Sequence, residues 1–288
     1  MNNFVIHTDS ACDICPATLK EWGVPYTSLT FRFNGEDTEY RNDGMASAEF
    51  YAKMREGGIA KTAAVNTETF KADFEATLKE GKDVLYLGFS SGLSTTYNSA
   101  RLAANELKEA YPERKLITVD TLCASAGQGL LLRLALDKQA EGATIEETAA
   151  YTESLVLKLC HWFTVDDLEY LKRGGRVSPT VAFVGNLLGI KPVLHVDNEG
   201  HLTNVAKVRG RKTAVATLAD KYGASADKLD SNMVYISHGD CEGDAKELAK
   251  ILNDRYGATV SIITDVGPVI GAHSGPGTLA LFFVGKER

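Results

Sequence analysis

The sequence predicts an α/β protein of two domains. Residues 1–160 are expected to form a three-layer α/β/α domain around a mainly parallel sheet. Residues 161–288 are expected to form an α+β domain with a mixed or antiparallel sheet. Two observations carry this reading. Up to about Cys160, short β-prone runs alternate with stretches of helical periodicity, the pattern of βαβ units. Beyond that point hairpin signals are mixed with helices, and no repeat or low-complexity linker marks the change. The 288 residues, 44% apolar and 24% charged, are enough chain for a large core.

In order, Phe4–His7 reads as the first strand, followed by the polar group Thr8-Asp9-Ser10 and by Asp13. Val24 to Phe33 has strand character, and Asn42-Asp43-Gly44 signals a turn. Ser47 is placed to cap a helix from Ala48 to about Arg55, with Glu49 favoured in its first turn. Lys61 to Asn66 reads as a loop before a helix whose Phe70, Phe74 and Leu78 recur every four residues. Val84 to Phe89 is apolar, β-prone and uncharged, hence a buried strand. The small and hydroxylated run Ser90-Ser91-Gly92-Leu93-Ser94-Thr95-Thr96 leads into a helix marked by Ala100, Ala103, Ala104 and Leu107. The free amides of a helix start, with hydroxyls around them, suit either an anion or an ordinary cap. Leu116–Val119 is the next strand, ending in Asp120-Thr121. Ser125 to Ala140 is an apolar helix with Gly142 as its stop, and Thr144-Ile145-Glu146-Glu147 is a capping box that starts another.

In the second half, His161 to Val165 is strand-like and Ser178-Pro179 starts a helix. Lys191–Val196 and Leu202–Val208 flank the hairpin signal Asp197-Asn198-Glu199-Gly200. Strands follow at Met233–Ser237, Val260–Thr264 and Thr278–Val284, with a helix over Asp240–Tyr256.

Charge and composition exclude several function classes. A net charge of −7 argues against general nucleic-acid binding. The first residues, MNNFVIHTDS, lack a basic, then apolar, leader, and no apolar run is long enough to span a bilayer. The expected location is the cytoplasm, with at most transient membrane contact. The five cysteines, Cys12, Cys15, Cys123, Cys160 and Cys241, are odd in number and scattered, which does not suggest a disulfide framework. Cys12-Asp13-Ile14-Cys15 matches C-x-x-C, but no second ligand pair exists for zinc. No cofactor and no metal are expected.

Two further stretches carry chemistry. Leu171-Lys172-Arg173-Gly174-Gly175-Arg176-Val177-Ser178 uses paired glycines to turn sharply and bring guanidinium forks near another surface. Gly267-Pro268-Val269-Ile270-Gly271-Ala272-His273-Ser274-Gly275-Pro276-Gly277-Thr278 reads as a shaped loop around one histidine. Thr8-Asp9-Ser10, Ser90-Ser91 and Asp120-Thr121 all fall at strand carboxyl ends, where open α/β sheets bind ligands.

These motifs resemble, in order and over nearly the full length, the signatures of the DegV family of bacterial fatty-acid-binding proteins. SSGLSTTYNSA is similar to the family's S-S-x-L-S-G-T-Y-x-S-A, and T-D-S-x-x-D, Ile190-Lys191-Pro192, the Arg-Gly-Gly-Arg stretch and the His273 stretch have counterparts too. The resemblance implies two domains with a long-chain fatty acid between them. It implies a carboxylate held by Thr62, Ser91 and Ser94 beside a charged network of Arg176 and His273. It also implies a non-enzymatic carrier in lipid metabolism that presents its ligand to a separate fatty acid kinase, which makes acyl phosphate. Arg173, Arg209 and Arg211 would face that partner, the last two from the basic run Lys207 to Lys212. Two departures stand out: Thr95 replaces a usual glycine, and Ala63 to Asn66 lack the family's proline and serine. The competing reading is an acyl esterase using Ser91 or Ser94 with His273, although no G-x-S-x-G elbow is present. A nucleotide-dependent kinase is disfavoured by the absence of G-x-x-x-x-G-K-[ST] and G-x-G-x-x-G.

Overall fold

A computed structural model describes residues 3–177, 189–227 and 232–288. Strand β1 (Phe4–Asp9) leads through a short 3-10 turn to α1 (Pro16–Glu21), β2 (Tyr26–Thr27), β3 (Thr30–Phe33) and β4 (Tyr40–Arg41). Next come α2 (Ser47–Arg55), β5 (Ala60–Ala63), α3 (Thr67–Lys79), β6 (Asp83–Gly88), α4 (Thr96–Ala110) and β7 (Leu116–Asp120). Then follow α5 (Ala126–Ala140), α6 (Ile145–Val156), β8 (Leu159–Thr164), α7 (Glu169–Arg173), β9 (Ile190–Val196) and β10 (Leu202–Arg209). The remaining described elements are α8 (Arg211–Ser225), β11 (Val234–His238), α9 (Glu242–Tyr256), β12 (Val260–Asp265), α10 (Pro268–Ser274) and β13 (Leu279–Val284).

The strands form three sheets. A four-stranded parallel sheet runs β2-β1-β6-β7. A six-stranded mixed sheet runs β10-β9-β8-β13-β11-β12, antiparallel except for the parallel pair β11–β12. A small antiparallel sheet, β4-β3-β5, stands apart. This is the expected α/β architecture with a parallel and a mixed sheet.

Helix α5 explains how the two large sheets share one core. Its buried residues run unbroken from Ala126 to Leu132 and continue at Leu134 and Ala135. A stretch of helix buried on every side belongs in an interior. Its Leu130, Leu131 and Leu132 join a single cluster with Leu85 and Val119 of the parallel sheet and with Tyr235, Ala280 and Phe282 of the mixed sheet. Two glycines permit the close approach: a Cβ on Gly127 would stand 2.3 Å from His161 Nε2, and one on Gly129 would stand 2.5 Å from Ile14 Cγ1. Strand β13 is buried throughout and alternates between two cores, with Ala280, Phe282 and Val284 toward α5 and Leu279, Leu281 and Phe283 toward α8 and α9. The Arg288 guanidinium ties the sheets further, donating to the carbonyls of Leu122 (2.9 Å), Asp197 (3.0 Å) and Leu159 (3.1 Å).

Several expectations are corrected. Val24–Phe33 splits into two strands of different sheets. Ser47 is the first residue of α2 and not its cap; Ala46 holds the cap position without a side-chain bond. Lys61–Ala63 is strand β5 and not loop, paired to β3 with Phe31 opposite Thr62. The stretch around His273 is helix α10, with Pro268 in its first turn. Helices α7 and α8 were not expected, although Ala214, Val215, Leu218, Ala219 and Tyr222 form a buried stripe at helical spacing. The Thr144–Glu147 capping box is present with both of its bonds. The helix expected to start at Ser178 falls outside the described residues.

Candidate functional site

A cavity of about 410 Å³ lies where the carboxyl ends of β6 and β7 meet the α5-facing side of the mixed sheet. Its walls come from Phe89, Ala124 and Ser125 on one side and from Phe163, Ala280 and Phe282 on the other. Leu171, Val269 and Ile270 close it from α7 and α10. Most of this wall is apolar and buried, whereas Ala63, Ala64, Ser91 and Thr95 are exposed. The cavity therefore has a dry body and a wet rim. All five residues expected to hold a head group, Thr62, Ser91, Ser94, Arg176 and His273, line it.

These side chains come from four places in the chain: β5 carries Thr62, the β6–α4 loop carries Ser91 and Ser94, Arg176 follows α7, and α10 carries His273. Thr62 sits on β5, fixed by the ladder to β3, so the proline missing from Ala63–Asn66 is not needed to hold it. His273 lies on the last turn of α10, and its Nε2 is 2.8 Å from Thr62 Oγ1. Its Nδ1 is buried without a partner, and a Cβ on Gly174 would stand 2.3 Å from that atom. Only glycine at 174 leaves room for the ring. Burial, helped by Arg176 and Arg173, lowers the His273 pKa to about 4, so the imidazole is neutral at neutral pH. A neutral imidazole with Nδ1 unpartnered is best satisfied by carrying its proton on Nε2 and donating to Thr62. The Thr62 hydroxyl proton is then free to point into the cavity.

Arg176 is half-buried and supplies the fixed charge. Its Nη1 donates to the Gly174 carbonyl (2.6 Å) and its Nε to the Leu93 carbonyl (3.3 Å). These two bonds leave donors of the guanidinium fork unspent. Ser94 Oγ accepts the Thr96 amide (3.2 Å), so it helps to finish the start of α4. Thr95 has φ −75°, an ordinary helical value, and glycine's freedom is not required there. Ser91 is exposed at the rim, and its amide donates to Asp120 Oδ1 (3.2 Å). Neither serine is bonded to His273, whose Nε2 is engaged by Thr62.

The other polar groups at strand ends do not reach the cavity, contrary to expectation. Thr8 Oγ1 donates to the Leu87 carbonyl (2.9 Å). Asp9 accepts from Tyr86 Oη (2.7 Å), the Phe89 amide (2.9 Å) and the Ala11 amide (3.0 Å). Ser10 Oγ accepts the Leu29 amide (3.0 Å), and Asp120 fastens the amides of Ser91 and Leu122. Thr8, Asp9, Ser10 and Asp120 are absent from the lining. Cys12 is buried and Cys15 exposed, all five thiols are free, and burial pushes the Cys12 thiol up.

Three lining serines were missed: Ser125, Ser237 and Ser274. Ser274 stood inside a quoted motif. Ser125 and Ser237 gave no sequence signal, because a lone serine after a strand or within one is ordinary. Of the arginines expected to face a partner, Arg173 is exposed and stacks on the Tyr170 ring at 4.9 Å, and Arg209 is exposed on edge strand β10. Arg211 is spent within the chain, its Nε donating to Asp244 Oδ2 (2.8 Å) and its Nη1 lying 3.6 Å from Asp166. No described helix is long and apolar enough to cross a membrane.

Comparison with known proteins gives the family. A DegV domain-containing protein of Clostridium perfringens is 42% identical over 100% of this chain and 99% of its own. A fatty acid-binding protein of Thermotoga maritima is 38% identical over 83% of this chain and 82% of its own. A solved structure of a fatty-acid-binding DegV family protein from Thermus thermophilus superposes with a TM-score of 0.86 at 30% identity, covering 98% of this chain and 99% of that one. The family model described as an uncharacterised protein of the DegV family matches residues 3–286. With two sheets joined by α5 and a largely apolar cavity with a polar rim between them, this chain belongs to the DegV family.

Proposed function

We propose that the protein is a non-enzymatic carrier that binds a long-chain fatty acid in this cavity and presents the carboxylate to a partner kinase. One observation carries the reading: a largely apolar, buried cavity whose rim brings together a guanidinium with spare donors and a hydroxyl bonded to a neutral histidine. An acyl chain fits the dry body, where burial contributes roughly 0.8 kcal/mol per methylene. A carboxylate fits the rim, because an anion leaving water needs hydrogen bonds and a counter-charge. Arg176 provides the charge. Thr62, Ser91 and Ser94 provide hydroxyls, and His273 orients Thr62. Fatty-acid binding by the Thermotoga and Thermus relatives supports the same assignment.

We place the division between the two units near residue 160, close to the start of β8 at Leu159. On this reading the first unit provides the hydroxyl loops and the second the arginine and histidine. Arg173 and Arg209 are exposed and can face a kinase, and the carrier works in the cytoplasm. The esterase alternative lacks its central contact, a serine bonded to His273.

Solvent extraction of the purified protein followed by mass spectrometry tests the reading. Stoichiometric long-chain fatty acid is expected. Turnover of acyl esters that disappears in Ser91→Ala or Ser94→Ala would refute it.

A further inference from the structure

The cavity has a second polar station, away from its rim. Thr278, just before β13, and Ala280 and Phe282 within it line the cavity from alternate positions, a span of about 13 Å at ~3.3 Å per residue. Midway along, Ser237 of β11 lies opposite Ala280 and faces the same way. Its Oγ is 2.9 Å from Ser125 Oγ, which in turn donates to Asp13 Oδ2 at 2.5 Å. Ser237, Ser125 and Asp13 are all buried.

This chain of groups is held at some conformational expense. Ser125 has φ 54° and ψ −148°, a region that side chains other than glycine avoid. Asp13 is also left-handed, at φ 50°. Strain of this kind persists only where the surroundings over-determine it. Here it aims the Ser125 hydroxyl back at Asp13 and leaves the Ser237 oxygen with lone-pair capacity unspent. A third hydroxyl is nearby. Ser274 is 5% exposed, lines the cavity, and its Oγ has no partner. The next residue, Gly275, has its carbonyl oxygen 2.9 Å from where a Cβ on Gly239 would stand. That contact lays the end of α10 over the end of β11, two residues from Ser237. A buried hydroxyl without a partner is costly, and in native interiors such groups are met by water or ligand.

We infer that Ser237 and Ser274, backed by Ser125 and Asp13, form a subsite for a hydroxyl group carried partway along the acyl chain, so that the cavity prefers hydroxylated over plain fatty acids. The inference rests on the carrier reading above. Ser274 can donate to the ligand oxygen, and Ser237 can accept the ligand proton. A plain chain makes neither bond and leaves Ser274 unmet. Sites built to hydrogen-bond a ligand hydroxyl discriminate against the ligand that lacks it.

The test uses the full-length protein stripped of lipid. It is loaded with an equimolar mixture of stearic acid and one hydroxystearic acid, and retained ligand is read by mass spectrometry. Isomers with the hydroxyl near the carboxylate, at mid-chain and near the methyl end are compared. The mid-chain isomer is expected to be retained about fivefold over stearic acid, the worth of roughly one neutral hydrogen bond, and the other isomers not. Ser274→Ala removes a hydroxyl with no protein partner, so it should fold normally and bring the ratio toward one. Ser237→Ala should do the same. Retention of stearic acid with a flat profile across the isomers would overturn the inference and leave the carrier reading standing. Retention of no fatty acid of either kind would overturn both.

Discussion

Two polar clusters of this molecule differ in how much of their hydrogen-bonding capacity is spent inside the protein. The Asp9 carboxylate is spent inside the protein, accepting from two backbone amides and a tyrosine hydroxyl. Around Arg176 and His273 the valences are spent only in part. The guanidinium has donors to spare, the imidazole has a bare nitrogen, and the Thr62 proton has no assigned acceptor. Both clusters sit near strand ends and both are rich in Ser, Thr and charge. What separates scaffold from site is the remainder after the internal bonds are counted.

The comparison breaks most directly at Asp9. Asp9→Ala leaves Tyr86 Oη and two amides unpartnered in the interior, and each buried unmet group costs about 1–3 kcal/mol. A loss of about 3 kcal/mol or more in unfolding free energy is expected by denaturant titration. Lipid content per folded molecule should hold. Lost lipid with intact stability would move Asp9 into the site and dissolve the distinction.

Arg176→Ala should show the reverse pattern. Removing the counter-charge from a half-buried carboxylate is expected to weaken fatty-acid binding by about 2 kcal/mol, roughly thirtyfold, below the cost at a fully buried pair. Unfolding free energy of the lipid-free protein should move by less than about 1 kcal/mol. Equal retention in the variant and the wild type would remove Arg176 from the head-group role.

Asp13 stands between the two clusters, because it is buried like Asp9 yet bonded toward the cavity. Burial raises its pKa to about 7, against a lowering by its bond from Ser125. A carboxyl whose folded pKa is raised contributes stability that is full below its unfolded pKa and is lost as pH rises through 7. Between pH 5 and 7 the wild type should therefore lose about 2 kcal/mol relative to Asp13→Asn, taking ~1.4 kcal/mol per pKa unit. His7 and His273, both lowered to about 4, pull the other way, but they are common to both proteins and cancel in the difference. A difference independent of pH would mean that Asp13 stays ionised throughout.

How much of this was legible depends on whether the relevant physics is local. The strand at Val84, the Thr144 capping box and the hairpin around Gly200 follow from short-range patterns, and the structure has all three. Helix α8 is equally local, since its stripe from Ala214 to Tyr222 has helical spacing, yet no element is expected there. The five rim residues were reached through motif resemblance and not through periodicity; the structure brings them to one cavity. The Thr62–His273 contact spans 211 positions and needs β5 to be a strand and α10 a helix, whereas local pattern predicts a loop at both. Asp9 misled for a complementary reason. Its place at a strand end suits a ligand, and only the fold reveals that Tyr86 and Phe89 occupy it first.

The smallest expected effect is the most exacting, because it tests the direction of a single hydrogen bond. With His273 neutral and Nδ1 bare, Nε2–H donates to Thr62 and the Thr62 hydroxyl donates onward to the carboxylate. Thr62→Val keeps the shape and removes both functions. Affinity for a long-chain fatty acid should fall by about 1 kcal/mol, roughly fivefold, the net worth of one hydrogen bond. Thr62→Ser keeps the hydroxyl and should bind like the wild type. The same donation predicts that Thr62→Val loses some stability as well, because it strands the His273 N–H in a buried site. If instead Thr62 donates to His273, its hydroxyl has no proton left for the ligand. Thr62→Val would then lower stability while affinity stayed level, and the carboxylate would have to be held by Arg176 with Ser91 or Ser94. Calorimetric titration of the three proteins, with a melting curve for each, separates the two arrangements.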